Sequence, residues 1–140
     1  GKIDAVAYGA VARQIHGRFP NISQVAITLR ESISASHNNW GAMFFHAEAN
    51  KTFLAPLDSQ GNYRPHEIRN IVDRVGAGDS FAAGLLYALD SRDHADASSA
   101  ITFAVAASCL KNSIQGDANY ATLDEIKALA EGKGSGRVIL

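Results

Sequence analysis

The sequence is poor in the residues that mark several protein classes. Among 140 residues there is one cysteine, Cys109, so no internal disulfide can form, and the composition suits a reducing compartment such as the cytoplasm. Cys109 sits beside Ala106, Ala107 and Leu110, the setting of a buried small side chain rather than of a nucleophile. Neither sign of charge is in excess: 13 Lys and Arg against 14 Asp and Glu leave a formal net charge of −1. That balance removes any general electrostatic reason to expect nucleic acid or an anionic membrane as partner. No apolar run approaches the roughly 20 residues that cross a bilayer. His37 and His46 stand far apart, with no cysteine or second histidine at ligand spacing, so no metal site is assigned to side chains. Residues 1–5 lack both a signal-peptide pattern and an initiator methionine, and the expectation is a fragment or processed product.

What is present reads as one α/β domain over residues 1–140 with 46% hydrophobic residues, able to bury roughly two-thirds of its surface. Tyr8, Val11, Ala12, Ile15 and Phe19 recur at helical spacing and predict a helix over residues 5–19, stopped by Pro20. Residues 24–29 read as a strand apolar on both faces, as in a strand covered by helices on both sides. A polar loop is expected over 30–39, strands over 40–47 and 52–55, and a loop over 58–65. From Gly78 the period becomes helical. Phe81, Leu85, Leu86 and Leu89 mark one helix, and residues 97–111 mark a second with an alanine-rich face. Thr122 and Glu125 have capping-box spacing and open a short helix that Gly132 ends. Residues 137–140 are expected to add an edge strand. Trp40 reads as a packing anchor, and Asp90, Asp93 and Asp96 as the wet side of a helix junction.

The informative stretch is Asp73-Arg-Val-Gly-Ala-Gly-Asp-Ser-Phe-Ala-Ala-Gly84. Gly76 and Gly78 flank an alanine just before a helix, where glycine permits unusual backbone angles and close approach of a ligand. The first amides of a helix lack internal partners and favour negative charge. Gly76, Ala77, Gly78 and Asp79 therefore form a candidate anion hole. Asp79 is out of place in a pure phosphate cradle. A phosphoryl-transfer site uses such a carboxylate, because an attacking hydroxyl must lose its proton. The bland alternative is a helix cap behind a glycine turn. A dinucleotide-binding oxidoreductase domain is a further alternative, although the third glycine position of a GxGxxG string holds Phe81.

The same stretch, through Leu86, resembles the C-terminal signature of the ribokinase-like, or PfkB-type, carbohydrate kinases. Within that family the sequence resembles 2-keto-3-deoxygluconate kinases most. That likeness rests also on Val25-Ala-Ile-Thr-Leu-Arg-Glu31, Ser34-Ala-Ser-His37, Ser113-Ile-Gln-Gly-Asp117 with Asn119, and Gly134-Ser-Gly-Arg-Val138. The resemblance implies a three-layer α/β/α, Rossmann-like fold and ATP-dependent phosphorylation of a sugar-acid hydroxyl, with Mg2+ accompanying ATP. It implies that Asp79 is the base and that the amides of Gly76, Ala77 and Gly78 are the anion hole. Thr28, Arg30 and Glu31 match the loop along the nucleotide phosphates, Val105 and Ser108 the helix bordering adenine, and Asp117 an acidic position near the acceptor.

Two departures accompany it. Thr28-Leu-Arg-Glu-Ser-Ile-Ser34 replaces the family's Thr-x-Gly-x-x-Gly loop, and no Asn is followed three positions on by Glu, so the family's magnesium-organising motif is missing. The expectation is therefore a C-terminal portion lacking the N-terminal strands and lid, inactive alone, that self-associates or joins the missing part. The alternatives are a nonenzymatic nucleotide-binding or assembly module and a kinase for another sugar or a nucleoside.

Overall fold

A computed structural model describes residues 3–92 and 96–133. The expected edge strand over 137–140, the 134–138 segment and Asp93 lie outside the described residues. The chain runs α1 (Ala7–Arg18), β1 (Gln24–Ser34), β2 (His37–His46), β3 (Lys51–Ala55), β4 (His66–Arg69), α2 (Ala77–Asp90), α3 (Ala97–Lys111) and α4 (Leu123–Ala130). β2 is the central strand. β1 pairs with it along its length, from Gln24 opposite His46 to Ser34 opposite His37. On its other edge β2 holds β3 opposite Ala42–His46 and β4 opposite His37–Trp40. All three ladders are antiparallel.

The expected polar loop over 30–39 is instead the tip of the β1–β2 hairpin, turning at Ala35 and Ser36. Polarity there does not mean an irregular backbone: Ser32 and Ser34 are exposed yet pair with Asn38 and His37 of β2, across a bulge at Ile33. Nor is β1 covered on both sides as a buried parallel strand would be, since Ala26 is exposed. The short β4, unforeseen in the sequence, forms because β2 extends past the end of β3 and leaves an edge to pair.

The alternation of β2 divides the core in two. Trp40, Ala42 and Phe44 face a cluster with Ile68, Phe81, Leu85 and the buried residues of α3. Met43 and Phe45 face the opposite way, toward Leu29, Ala5 and Ala12. The layers are thus α1, sheet, then α3 with α2 and α4 packed on it, a mixed α/β architecture. In α1 the buried residues are Gly9 and Ala12, whereas Val11 and Phe19 are 43% and 53% exposed. In α2, Phe81 and Leu85 are buried but Leu86 and Leu89 are exposed. Two of the five residues of the first expected apolar stripe and two of the four of the second therefore face outward.

α3 is apolar around its whole circumference and is buried from Phe103 to Lys111. Its small side chains let α2 close in: a Cβ on Gly84 would lie 3.2 Å from the Cα of Ala104 and 3.2 Å from the Cβ of Ala107. The Trp40 indole N–H donates to Ser108 Oγ at 2.7 Å, tying sheet to helix through a buried hydrogen bond. Burial pushes the Cys109 thiol up to about 12, as suits an inert core side chain. Asp96 caps α3 by accepting from the Ser99 amide at 2.7 Å, a more specific role than the wet junction expected of it. α4 carries the expected capping box between Thr122 and Glu125. It ends at left-handed Gly132, where the amides of Gly132 and Lys133 donate to Leu129 and Ala128. Among the described residues no helix is long and apolar enough to cross a membrane.

The close approach at Gly84 sets a test. Gly84→Leu must push α2 off α3 and should lower unfolding free energy by about 1–3 kcal/mol. Gly17, in α1, has nothing within 4 Å of an added Cβ, so Gly17→Ala should raise it by about 0.5–1 kcal/mol. Urea midpoints with unchanged slopes check both.

Candidate active site

The signature segment crosses from β4 to α2 and is held at both ends. The main-chain oxygen of Asn112, just past α3, accepts from the amides of Val72 at 2.9 Å and Asp73 at 3.3 Å. The Asp73 carboxylate accepts from the amide of Val75 at 3.0 Å and from that of Gly116 at 2.9 Å. The Val75 bond first, then the Gly116 bond, hold its carboxyl below the usual aspartate range against the opposing effect of burial. On the far side, Arg74 Nη2 donates to the carbonyls of Ser34 at 3.2 Å and Ala35 at 2.6 Å, tying the segment to the hairpin tip.

Gly76 is the pivot. It is left-handed, with φ 79°, a conformation that costs other residues roughly 1–2 kcal/mol. A Cβ there would also collide with the carbonyl oxygen of Asp117. The chain can therefore enter α2 only because this residue has no side chain, and the 112–119 loop packs directly on its backbone. Gly78 differs. Its φ is unremarkable and nothing lies within 4 Å of an added Cβ. The Gly76 carbonyl accepts from Ser80 to start the helix, and the Gly78 and Asp79 amides belong to the turn that lacks intrahelical acceptors.

Two cavities meet this helix end. One, of about 380 Å3, is lined by Asp79, Asp117 and Asn119, with Ala83, Gly84 and Tyr87 below them. Asn119 is fixed by donating to the Ala107 carbonyl at 3.0 Å and accepting from the Ala121 amide. Lys111, with no exposed surface, donates to the Ile114 carbonyl at 2.9 Å and steadies the start of the same loop. The second cavity, of about 410 Å3, is lined by Thr28 and Arg30 of β1, by Arg74, and by Ala77 and Gly78.

The structure thus brings Asp79 and Asp117 to one cavity and Thr28 and Arg30, with Ala77 and Gly78, to the other, while Gly76 packs on the Asp117 backbone. Three expectations are corrected. Thr28, Arg30 and Glu31 lie within a strand, not a loop. Glu31 has the opposite parity, on the face of Leu29, and accepts from Asn39 Nδ2 at 2.9 Å. It does not join Thr28 and Arg30. Val105 and Ser108, expected beside adenine, have no exposed surface. The Ser108 hydroxyl accepts from Trp40 and donates to the Val105 carbonyl, so neither side chain offers a base a surface. The structural roles of Asp73, Arg74 and Lys111 escaped the sequence reading. Only Asp73 left a signal there, as an acid two residues before a free amide at the start of a glycine turn.

A family model for pfkB carbohydrate kinases matches residues 40–122. This is more than half of the chain, and the chain belongs to that family. Over 94% of its length it is similar, at 39% identity and a TM-score of 0.78, to the crystal structure of a 2-dehydro-3-deoxygluconokinase from Thermotoga maritima. It is similar over 94% of its length to a PfkB family carbohydrate kinase from Listeria grayi, at 29% identity and a TM-score of 0.72. The chain spans 36% and 39% of those two structures. No curated protein gives a significant match.

Gly76→Ala should displace the 112–119 loop and destabilise the fold, whereas Gly78→Ala should leave the thermal midpoint within about 2 °C of the parent; comparing the two melts checks the pivot. A second expectation concerns Asp73. A carboxyl whose folded pKa is depressed contributes stability above its unfolded value, near pH 4, that disappears as pH falls through the folded value. The stability gap between the protein and Asp73→Asn should therefore be full at pH 7 and shrink below about pH 4, read from urea midpoints.

Proposed function

We propose that this chain is the C-terminal, nucleotide-facing portion of an ATP-dependent carbohydrate kinase whose acceptor is a sugar-acid hydroxyl, 2-keto-3-deoxygluconate or a close relative. The observation that carries this reading is the placement of Asp79 in the first turn of α2, beside the Gly78 amide and lining one cavity with Asp117. The likeness to the Thermotoga maritima 2-dehydro-3-deoxygluconokinase supports the choice of acceptor.

In this reading the acceptor hydroxyl gives its proton to an Asp79 carboxylate oxygen as its own oxygen attacks the γ-phosphorus. The bond from that phosphorus to the β–γ bridging oxygen breaks, and ADP leaves with the electron pair. General-base assistance of this kind is worth about 3–5 kcal/mol of barrier. The Gly78 and Asp79 amides steady charge on the transferring group. No Lys or Arg lines the cavity of Asp79 and Asp117, so its carboxylates receive hydroxyls, and the acceptor's own carboxylate points away from them. Asp117 then orients the acceptor rather than activating it.

Magnesium, when bound, neutralises the polyphosphate. Among the described residues no three His, Cys, Asp or Glu side chains converge as a cage for it. Complete activity belongs to a longer kinase fold, working in the cytoplasm where ATP is supplied.

In the kinase that contains this chain, Asp79→Asn should lower turnover by at least about 100-fold with little change in ATP affinity. Steady-state kinetics beside calorimetric ATP binding would decide it. Near-normal turnover removes Asp79 from the chemistry.

A further inference from the structure

One charge in the interior has no part in the proposed chemistry. Lys111 closes the last turn of α3 with no exposed surface. Taking an ammonium out of water is costly, and an apolar side chain of similar volume packs in such a place without that cost. Keeping the charge therefore points to its field and its hydrogen bonds, not to its bulk. Of its three N–H donors, one reaches the Ile114 carbonyl at 2.9 Å. The charge is felt at Asp73 as well. That carboxyl is depressed first by the Val75 and Gly116 amides and then, against the opposing effect of burial, by Lys111.

Negative oxygens gather at this junction. The final carbonyls of α3 carry the negative end of the helix dipole. The Asn112 carbonyl accepts from the amides of Val72 and Asp73, which draws the Asp73 carboxylate to the same place. Oxygens so assembled repel one another unless a cation offsets them. From Ile114 the loop continues to Gly116, which donates to Asp73 at 2.9 Å. It then reaches Asp117, whose main-chain oxygen bears on Gly76 and whose residue lines the cavity with Asp79. Lys111 thus grips the loop at Ile114, one turn of chain before the acid that shares a cavity with the proposed base.

We infer that Lys111 is a positioning residue whose ammonium serves as a built-in cation: it offsets the oxygens of Asp73 and Ile114 at the root of the 112–119 loop, and through that loop sets the place of Asp117 against Asp79. The part played by Asp117 and Asp79 in catalysis rests on the kinase reading, whereas the cation's hold on the loop does not. A Lys111 that served only as filling would be replaced without loss by an apolar side chain of its size.

Two variants test this. Lys111→Met keeps the volume and removes the charge. Lys111→Ala removes both and leaves room for a small amine, so it is compared in n-propylammonium chloride and in choline chloride at equal ionic strength. Hydrogen exchange at the Gly116 amide reads the loop. In Lys111→Met it should quicken by about 10- to 100-fold, the loss of one charge-assisted contact. In Lys111→Ala, n-propylammonium should restore protection and choline, too large for the space, should not. In the kinase that contains this chain, Lys111→Met should raise KM for the sugar acid by about 10-fold and KM for ATP by less than about 3-fold. Should Lys111→Met fail to melt cooperatively, the amine comparison in Lys111→Ala decides. Parental exchange in Lys111→Met, an equal response of Lys111→Ala to both salts or to neither, or equal rises in the two KM values overturns the inference. So does faster exchange with an unchanged sugar-acid KM, because the loop would then loosen without moving Asp117. If exchange responds as expected but Asp79→Asn keeps its turnover, the kinase reading falls and the cation's hold on the loop stands. If Asp79→Asn loses turnover while Lys111→Met changes neither exchange nor KM, the kinase reading stands and the inference falls.

Discussion

The arrangement turns on the contact between the bare Cα of Gly76 and the main-chain oxygen of Asp117. Two segments just over forty residues apart in sequence meet there with no side chain between them. From one side the contact fixes the entry of α2, and with it the direction of Asp79 and of the first-turn amides. From the other it sets the 112–119 loop, which carries Asp117 and Asn119. The Asp73 carboxylate reinforces the junction by accepting from Gly116 and Val75 at once. The Asn112 carbonyl and buried Lys111 secure the loop at its root.

Around that junction the fold supplies rigidity by two routes. α3 has no polar face, so it is enclosed by sheet, α2 and α4, and the Trp40–Ser108 hydrogen bond gives this enclosure a direction that apolar packing alone lacks. α2 approaches α3 closely at Gly84, which keeps the helix that bears Asp79 from tilting. The small residues of α3 thus serve helix packing. Val105 and Ser108 are consumed by it and are not left for a ligand.

Elements whose signal is local were legible in the sequence. The capping box of α4, the glycine stop after it, and the glycine turn before α2 each announce themselves through neighbouring residues, and each is present. So are α3 and the turn between β2 and β3. The hairpin was not legible, because part of its polarity belongs to an exposed tip and part to buried Asn38, while the backbone is held by a partner strand. Polarity and irregularity leave the same mark on a sequence. The two faces of β1 were readable only in part: parity separates Thr28 and Arg30 from Glu31, but a resemblance to a loop motif hides that parity. Lys111 could not have been found, since a buried lysine is recognised only once its acceptor, a carbonyl three residues on, has been placed. Of the site, Asp79 and the glycine turn were visible because one helix start carries them all. The Arg74 tether to Ser34 and Ala35 spans some forty residues and has no local trace.

β2 alternates its side chains between two separate cores, with Trp40, Ala42 and Phe44 in one and Met43 and Phe45 in the other. A slip of one residue along its neighbours would present each set to the wrong layer, emptying both interiors in a single error. The two halves of the molecule consequently have no independent route to misalignment. Whatever fixes the register beneath α1 has already fixed it beneath α2 and α3, so mutations buried on either side of the sheet should be felt by one shared cooperative transition.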